Sequence, residues 1–235
     1  RNEWPSQLTN SPKASFFYPS VGLSSVITDM LSPDTKAKVT PILSFLKARV
    51  AFSSVASPFE RWLTMPTYSF DADNKVWKSV SYFPIGTLFP ERTNSYEGGF
   101  SSKWFRRKVS LDFTVYRTNT YNQTIRADIS PSTGYDAVFF QTGNVQNTGF
   151  ELGLGYNLLT QGDFKWNTYF TAGYNKNTIK SLLENYVNPV TNQVESQDYL
   201  VKNSFGPLKF ILKTGGSMGD IYTDADFRRN QDGKI

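Results

Sequence analysis

One stretch, residues 144–177, limits most strongly what this chain can fold into. From Phe150 the even positions are Phe150, Leu152, Leu154, Tyr156 and Leu158, and between them stand Glu151, Gly153, Gly155 and Asn157. Successive side chains of a strand point to opposite faces, so this spacing predicts a strand with one apolar face and one polar or small face. Thr160-Gln161-Gly162-Asp163 supplies turn chemistry. The pattern then repeats on a return strand. Phe164, Trp166, Phe170, Ala172 and Tyr174 fall on one face, and Lys165, Asn167, Thr171, Gly173 and Asn175 on the other.

Two environments produce such a hairpin. A water-soluble sheet buries its apolar face against a second layer. A transmembrane barrel turns that face to lipid and the other to a wet lumen, with strands of roughly ten residues, short turns at one end, long loops at the other and aromatic girdles. The alternation by itself leaves both open, and the rest of the chain has to decide between them.

The composition narrows the classes. At 235 residues the chain can form one large all-β domain. Aromatic residues make up 16% and charged residues 19%, which excludes a disordered chain. No run of about 18 apolar residues occurs, so no transmembrane helix is expected, although a barrel remains possible because its strands are only half apolar. Cysteine and histidine are absent, which removes thiol nucleophiles, disulfides, Cys/His zinc sites and imidazole-dependent triads. The net charge of +5 is spread along the chain except at Arg106-Arg107-Lys108, which reads as a solvated turn, so no nucleic-acid partner is expected. No signal peptide is visible and the first residue is Arg1, so a processed product or an excised piece is expected.

Taken in order, residues 1–12 read as loop and 14–26 as a strand interrupted at Pro19, which lacks an amide hydrogen. Residues 27–44 form a connection whose middle suits a short helix, and 45–54 resume the strand pattern. Residues 56–90 are long and irregular, and their aromatics Tyr68, Trp77 and Tyr82 either stack on a ligand or pack the loop against itself. Residues 94–104 and 109–116 repeat the hairpin design around a short turn at 105–108. Residues 118–143 and 178–207 read as extended excursions, 208–214 as one more strand, and 215–235 as loop with a turn signal at Asp232-Gly233. About seven strands result. The rhythm is strand, short turn, strand, long loop, with short turns at one end, which is the layout of an outer-membrane barrel.

Three features could mislead. Gly153-Leu154-Gly155 lies in a strand with no following helix, so small residues beside a neighbouring strand or plug explain it better than a dinucleotide site. Asp224, Asp226, Asn230 and Asp232 lack the spacing of a calcium loop and read as a solvated turn. Glu97, Asp112 and Glu151 lie on the polar faces of different strands, where lining a lumen opposite lysine or arginine is a stronger reading than paired-carboxylate hydrolysis.

Three stretches together resemble the SusC/RagA-type TonB-dependent outer-membrane transporters. The first is Pro90-Glu91-Arg92-Thr93-Asn94-Ser95-Tyr96-Glu97-Gly98-Gly99. The second runs from Pro131-Ser132-Thr133-Gly134-Tyr135 through Gly143-Asn144-Val145-Gln146-Asn147-Thr148-Gly149-Phe150-Glu151-Leu152, with Gln141 where the family usually has Asn. The third is Phe164-Lys165-Trp166 with Asn175-Lys176-Asn177. Gly216-Ser217-Met218-Gly219-Asp220-Ile221-Tyr222 is also family-like, with Thr223 in place of a frequent glycine.

The resemblance implies an all-β, antiparallel meander of long strands belonging to a large barrel, of the order of 22 strands if it is to hold a plug. It implies that residues 1–235 are an internal segment of that barrel, without plug or TonB-binding segment. It implies import of glycans or peptides across the Gram-negative outer membrane, energised through TonB and served by a SusD-like surface lipoprotein. Glu97, Asp112, Glu151, Asn157 and Lys165 would then line the lumen. Tyr68, Trp77 and Tyr82 would meet ligand or lid. The lipid bilayer is an expected partner, and no catalytic residue, metal or cofactor is expected. The alternative is a soluble or surface-exposed β-sandwich that binds carbohydrate.

Overall fold

Six long strands hydrogen-bond side by side in chain order. They are β1 (Ser20–Val26), β2 (Leu43–Ser57), β3 (Glu91–Trp104), β4 (Val109–Tyr121), β5 (Asn144–Gln161) and β6 (Phe164–Ser181), and every neighbouring pair is antiparallel. The structure, a computed structural model, describes all residues except 10, 65–66, 84–87, 162–163, 188–192, 227, 229, 231 and 233–235. The expected antiparallel meander is therefore present. Pro66, Pro84, Gly162, Asp163 and Gly233 lie outside the described residues.

The register carries the side-chain alternation of one strand across all six. Leu23, Val50, Gly98, Val115, Phe150 and Tyr174 stand opposite one another in a single row. The next row on the same face is Ser25, Ala48, Phe100, Phe113, Leu152 and Ala172. Aromatic rings meet along this face, with centroids 5.9 Å apart for Phe100 and Phe113, 6.2 Å for Phe113 and Phe150, and 6.0 Å for Phe150 and Tyr174. Such cross-strand contacts pin the register, because a slip by one residue would move every side chain to the wrong face. No second layer covers this face among the described residues. Leu23 is 72% exposed, and Val50 and Phe170 are each 57% exposed. A β-sandwich would pack a second sheet on such a face.

The structure adjusts the sequence reading in four places. First, the strand expected from residue 14 begins at Phe16; the expected interruption at Pro19 divides it into Phe16–Phe17 and β1, and the Pro19 carbonyl accepts from the Ser54 amide at 2.9 Å. Second, Thr160 and Gln161 belong to β5 rather than to a turn, and a bulge between Asn157 and Leu159 puts Leu159 opposite Trp166. One extra residue at Leu158 ends the simple even-numbered alternation there. Third, β2, β3 and β4 run beyond the expected 45–54, 94–104 and 109–116. Fourth, residues 178–207 are not one loop. They contain the end of β6, the strands Leu183–Val187 and Val194–Gln197, and β7 (Tyr199–Phe205), which pairs with β8 (Leu208–Lys213), itself paired with β9 (Ile221–Thr223).

Because the strands alternate in direction, connections 27–42 and 105–108 and the paired ends of β5 and β6 at Gln161 and Phe164 share one end of the sheet, and the chain leaves β2 and β4 at the other. The first of these holds α1 (Pro33–Val39), the expected short helix, with Pro33 in its first turn, where its missing amide hydrogen costs nothing. Residues 105–108 close on a Lys108 amide to Phe105 carbonyl bond of 3.2 Å, and Arg106 and Arg107 both have positive φ, as in a type I′ hairpin turn.

Apolar burial gathers at the long-loop end. Leu8, Phe16, Ala56, Phe59, Leu63 and Leu88 form one cluster, and Ile125, Val145, Ile179, Leu182, Leu183 and Leu212 another. The two long connections also share a small sheet, in which Thr124–Asp128 pairs with Ala137–Gln141, and that strand pairs in parallel with Tyr82–Phe83. Gln141 clamps the neck of this assembly. Its Oε1 accepts from the Phe89 amide at 2.8 Å, and its Nε2 donates to the carbonyls of Phe89 at 2.6 Å and Asn122 at 3.1 Å. Asn177 does similar work near the C-terminus. Its Oδ1 accepts from the Met218 amide at 2.8 Å, holding the 216–219 turn against β6.

The Gln141→Ala substitution removes these bonds together and leaves backbone groups unpaired, a cost of about 1–3 kcal/mol. Limited proteolysis should then nick residues 122–143 faster than in the parent; an unchanged rate would remove Gln141 from the role of clamp.

Candidate functional site on the polar face

On the other face of the sheet the rows are polar. Ser24, Arg49, Gly99, Thr114, Glu151 and Gly173 make one row, and Lys47, Ser101, Asp112, Gly153 and Thr171 lie in the adjacent one. The register thus brings three carboxylates from three strands to one region, and an arginine from a fourth pairs with two of them. Arg49 Nε lies 3.6 Å from Glu97 Oε1, and its Nη1 lies 3.3 Å from Asp112 Oδ1 and donates to Ser101 Oγ at 3.2 Å. Its Nη2 donates to Thr114 Oγ1. Ser101 Oγ in turn donates to Asp112 Oδ1 at 3.1 Å. Arg49 and Glu151 border the same shallow basin of about 480 Å³, with Gly153, Thr171 and Gly173 along its side.

Gly99 makes the arginine's reach possible. It stands between Arg49 and Thr114 in the row, so Arg49 must cross β3 to reach β4. A Cβ there would sit 2.5 Å from the Phe113 carbonyl oxygen and 3.1 Å from Thr114 Oγ1. Gly155 serves a neighbour in the same way, since a Cβ would sit 2.5 Å from Ser110 Oγ and 3.0 Å from Tyr169 Cε1. Of Gly153-Leu154-Gly155, only Gly155 is crowded by side chains of its neighbouring strands; a Cβ at Gly153 would meet Asp112 Cβ at an ordinary 3.7 Å.

The remaining candidates are placed elsewhere. Asn157 sits at the turn end, where its amide donates to the Lys108 carbonyl at 2.8 Å and its Nδ2 to the Arg107 carbonyl at 3.3 Å. Lys165 is exposed on the polar face opposite Thr160, about 23 Å along β5 from the position facing Asp112. Tyr68 and Trp77 are 71% and 70% exposed, Tyr68 just before and Trp77 within the hairpin Ser69–Asp71/Val76–Lys78. Tyr82 is instead half-buried. Its hydroxyl donates to the Trp62 carbonyl at 3.0 Å and its ring meets Phe139 edge-on, so it packs the loops, and burial raises its phenol pKa. The acidic residue Asp224 pairs with Lys209 at 2.7 Å. No metal-holding cluster of carboxylates occurs among the described residues.

Two residues that organise these regions had no role in the sequence reading. Arg49 stood out only as one polar residue on the alternating face of β2, and Gln141 only as a departure from a family pattern. The spacing of either along the chain does not signal a contact more than 50 residues away.

The hairpin bearing Trp77 is tied by Asp71. Its Oδ1 accepts from the amides of Asp73 and Asn74, both at 3.1 Å, and Oδ2 accepts from Asn74 Nδ2 at 2.9 Å and pairs with Lys78 Nζ. The Lys78 ammonium foremost, then the Asn74 side chain and amide, lower the Asp71 carboxyl pKa from 3.8 to about 2. A depressed carboxyl stabilises the fold above its unfolded value and loses that contribution as pH falls through the folded one. The hairpin should therefore hold its form at pH 4 and loosen toward pH 2, read by Trp77 fluorescence, and Asp71→Asn should abolish that step.

At the polar face, Gly99→Ala forces a Cβ against the β4 backbone and should cost about 1–3 kcal/mol. Gly98→Ala has its nearest neighbour at 3.9 Å and should be close to neutral. Unfolding temperatures of the two variants, read from heat-dependent gel mobility, test the difference; equal values would contradict the crossing assigned to Gly99.

The comparisons with known proteins agree with this architecture. The model of the family described as TonB dependent receptor-like, beta-barrel, matches residues 1–232. A TonB-dependent receptor of Formosa agariphila is 22% identical over 197 residues, covering 82% of this chain and 17% of that protein. The solved structure of the RagAB peptide transporter aligns with a TM-score of 0.66 at 16% identity, covering 87% of this chain and 21% of that one. The RagAB peptide importer in its closed-closed state aligns at 0.63, again at 16% identity, covering 97% and 25%. At such identity these structures establish the shared fold, and this chain spans only a fraction of each relative. It belongs to the TonB-dependent receptor-like β-barrel family, as a stretch of the barrel.

Proposed function

We propose that this chain is part of the wall of a SusC/RagA-type importer in the Gram-negative outer membrane. The wall takes up glycans or peptides with a SusD-like surface lipoprotein and is energised through TonB. The observation that carries this reading is the uncovered apolar face. From Phe150 to Tyr156 the outward residues of β5 are apolar without interruption, and the facing residues of β3, β4 and β6 supply Phe100, Trp104, Leu111, Phe113 and Phe170. A barrel of this class presents an apolar band about 25 Å tall to lipid. The polar face then meets the lumen, where Arg49, Glu97, Asp112 and Glu151, with Asn157 and Lys165 nearer the turn end, form a hydrated lining. Solvated ion pairs of this kind add little stability and keep the wall wettable. Tyr68 and Trp77 project from the long loops, where ligand and lid approach, and Tyr82 holds those loops in shape. The RagAB relatives carry peptides by name, which supports a peptide cargo as one of the two choices.

Substitutions on opposite faces of one strand pair test the assignment. Leu154→Arg puts a charge at the middle of the proposed lipid face and should cost about 2–4 kcal/mol and block assembly of the full-length protein in the outer membrane. Thr171→Arg, on the polar face, should assemble normally and alter uptake. Equal tolerance of both, measured as the heat-modifiable fraction in detergent extracts, would overturn the assignment of faces.

A further inference from the structure

The charged residues of the apolar face carry one sign and lie at one end. Among the paired, described positions of the six strands they are Arg92, Arg117 and Lys176, with no carboxylate beside them. The polar face, in contrast, mixes Lys47, Arg49, Lys103 and Lys165 with Glu91, Glu97, Asp112 and Glu151. Arg117 and Lys176 share a row with Tyr96 and Thr148, the row immediately on the long-loop side of Val50, Val115, Phe150 and Tyr174. Both cations are exposed. They flank Thr148, one strand away on either side, so their backbones are about 9.5 Å apart and the long side chains can converge over the threonine hydroxyl. The Arg117 guanidinium lies 2.7 Å from the Gln146 side-chain amide, which steadies it.

An apolar groove of about 740 Å³ leads up to this pair. It runs over Gly98 between Val50, Tyr96, Val115, Phe150 and Tyr174, and Arg117 and Thr148 stand at its long-loop end. Gly98 leaves the floor open, since nothing lies within 3.9 Å of where its Cβ would be.

We infer that this groove binds one lipid of the loop-side leaflet, with an acyl chain over Gly98 and an anionic phosphate head group between Arg117 and Lys176. The inference rests on the proposed lipid contact of the apolar face. An acyl chain matches the apolar floor, and a phosphate matches two cations and a hydroxyl; Glu97 also borders the groove, but its carboxylate alternates to the polar face, where Arg49 lies 3.6 Å away. A zwitterionic head group would bring a positive charge against Arg117 and Lys176.

The test is native mass spectrometry of the full-length, detergent-purified protein with added phosphatidic acid or phosphatidylcholine of the same chains. The parent should bind phosphatidic acid about ten-fold more tightly, and R117Q with K176Q should erase that preference. Gly98→Leu should weaken both lipids alike by filling the groove. No preference in the parent, or a preference that survives the double exchange, would overturn the site. Recovery of the parent in the soluble fraction without detergent would instead overturn the membrane wall on which the site rests.

Discussion

Everything in this structure depends on the cross-strand register. A strand has only two faces, and hydrogen bonding between antiparallel neighbours forces residues directly opposite each other onto the same one. Once Phe150 pairs with Val115 and Tyr174, Glu151 must pair with Thr114 and Gly173. The apolar row and the polar row are therefore not independent features. Slipping β5 against β4 by one residue would bring Glu151 opposite Val115 or Phe113 and turn Phe150 and Leu152 to the polar side. The ring contacts of Phe100, Phe113, Phe150 and Tyr174 resist that slip on one face, and the reach of Arg49 across Gly99 resists it on the other.

The sheet leaves little apolar surface buried within itself. Its compact clusters lie at the long-loop end, where Leu8, Phe16, Phe59, Leu63 and Leu88 pack together and Ile125, Ile179, Leu182 and Leu212 do the same. This division fits a wall whose apolar side is solvated by lipid, while its loops, standing in water, need an ordinary hydrophobic core. The same division explains the placement of the aromatics. Tyr82 is drawn into the loop core beside Phe139, whereas Trp77 meets Phe70 within its own hairpin and is 70% exposed.

Charge follows the faces too. On the polar side cations and anions intermingle, so no strong field of one sign forms across the basin. On the apolar side the few ionisable groups are cationic and crowd into the rows next to the loops. A segregated arrangement of this kind matches a border between an apolar layer and an anionic one, such as a phosphorylated lipid surface.

The sequence by itself determined the alternation, the long hairpins β3–β4 and β5–β6, the short helix after β1, and which residues share a face up to the bulge at Leu158. Those are local properties, set by a period of two and by turn chemistry, so they can be read from neighbours in the chain. It also marked Glu97, Asp112 and Glu151 as polar-face residues. Only the tertiary structure decided that Arg49 joins Glu97 and Asp112, that Gln141 closes the loop neck, and that Arg117 and Lys176 flank one threonine. Each of these depends on which strands become neighbours and in what register, through contacts between residues far apart in sequence. The strands within 178–207 escaped for a related reason: they are short and lack a sustained alternation of apolar and polar residues, so pairing, not periodicity, makes them strands.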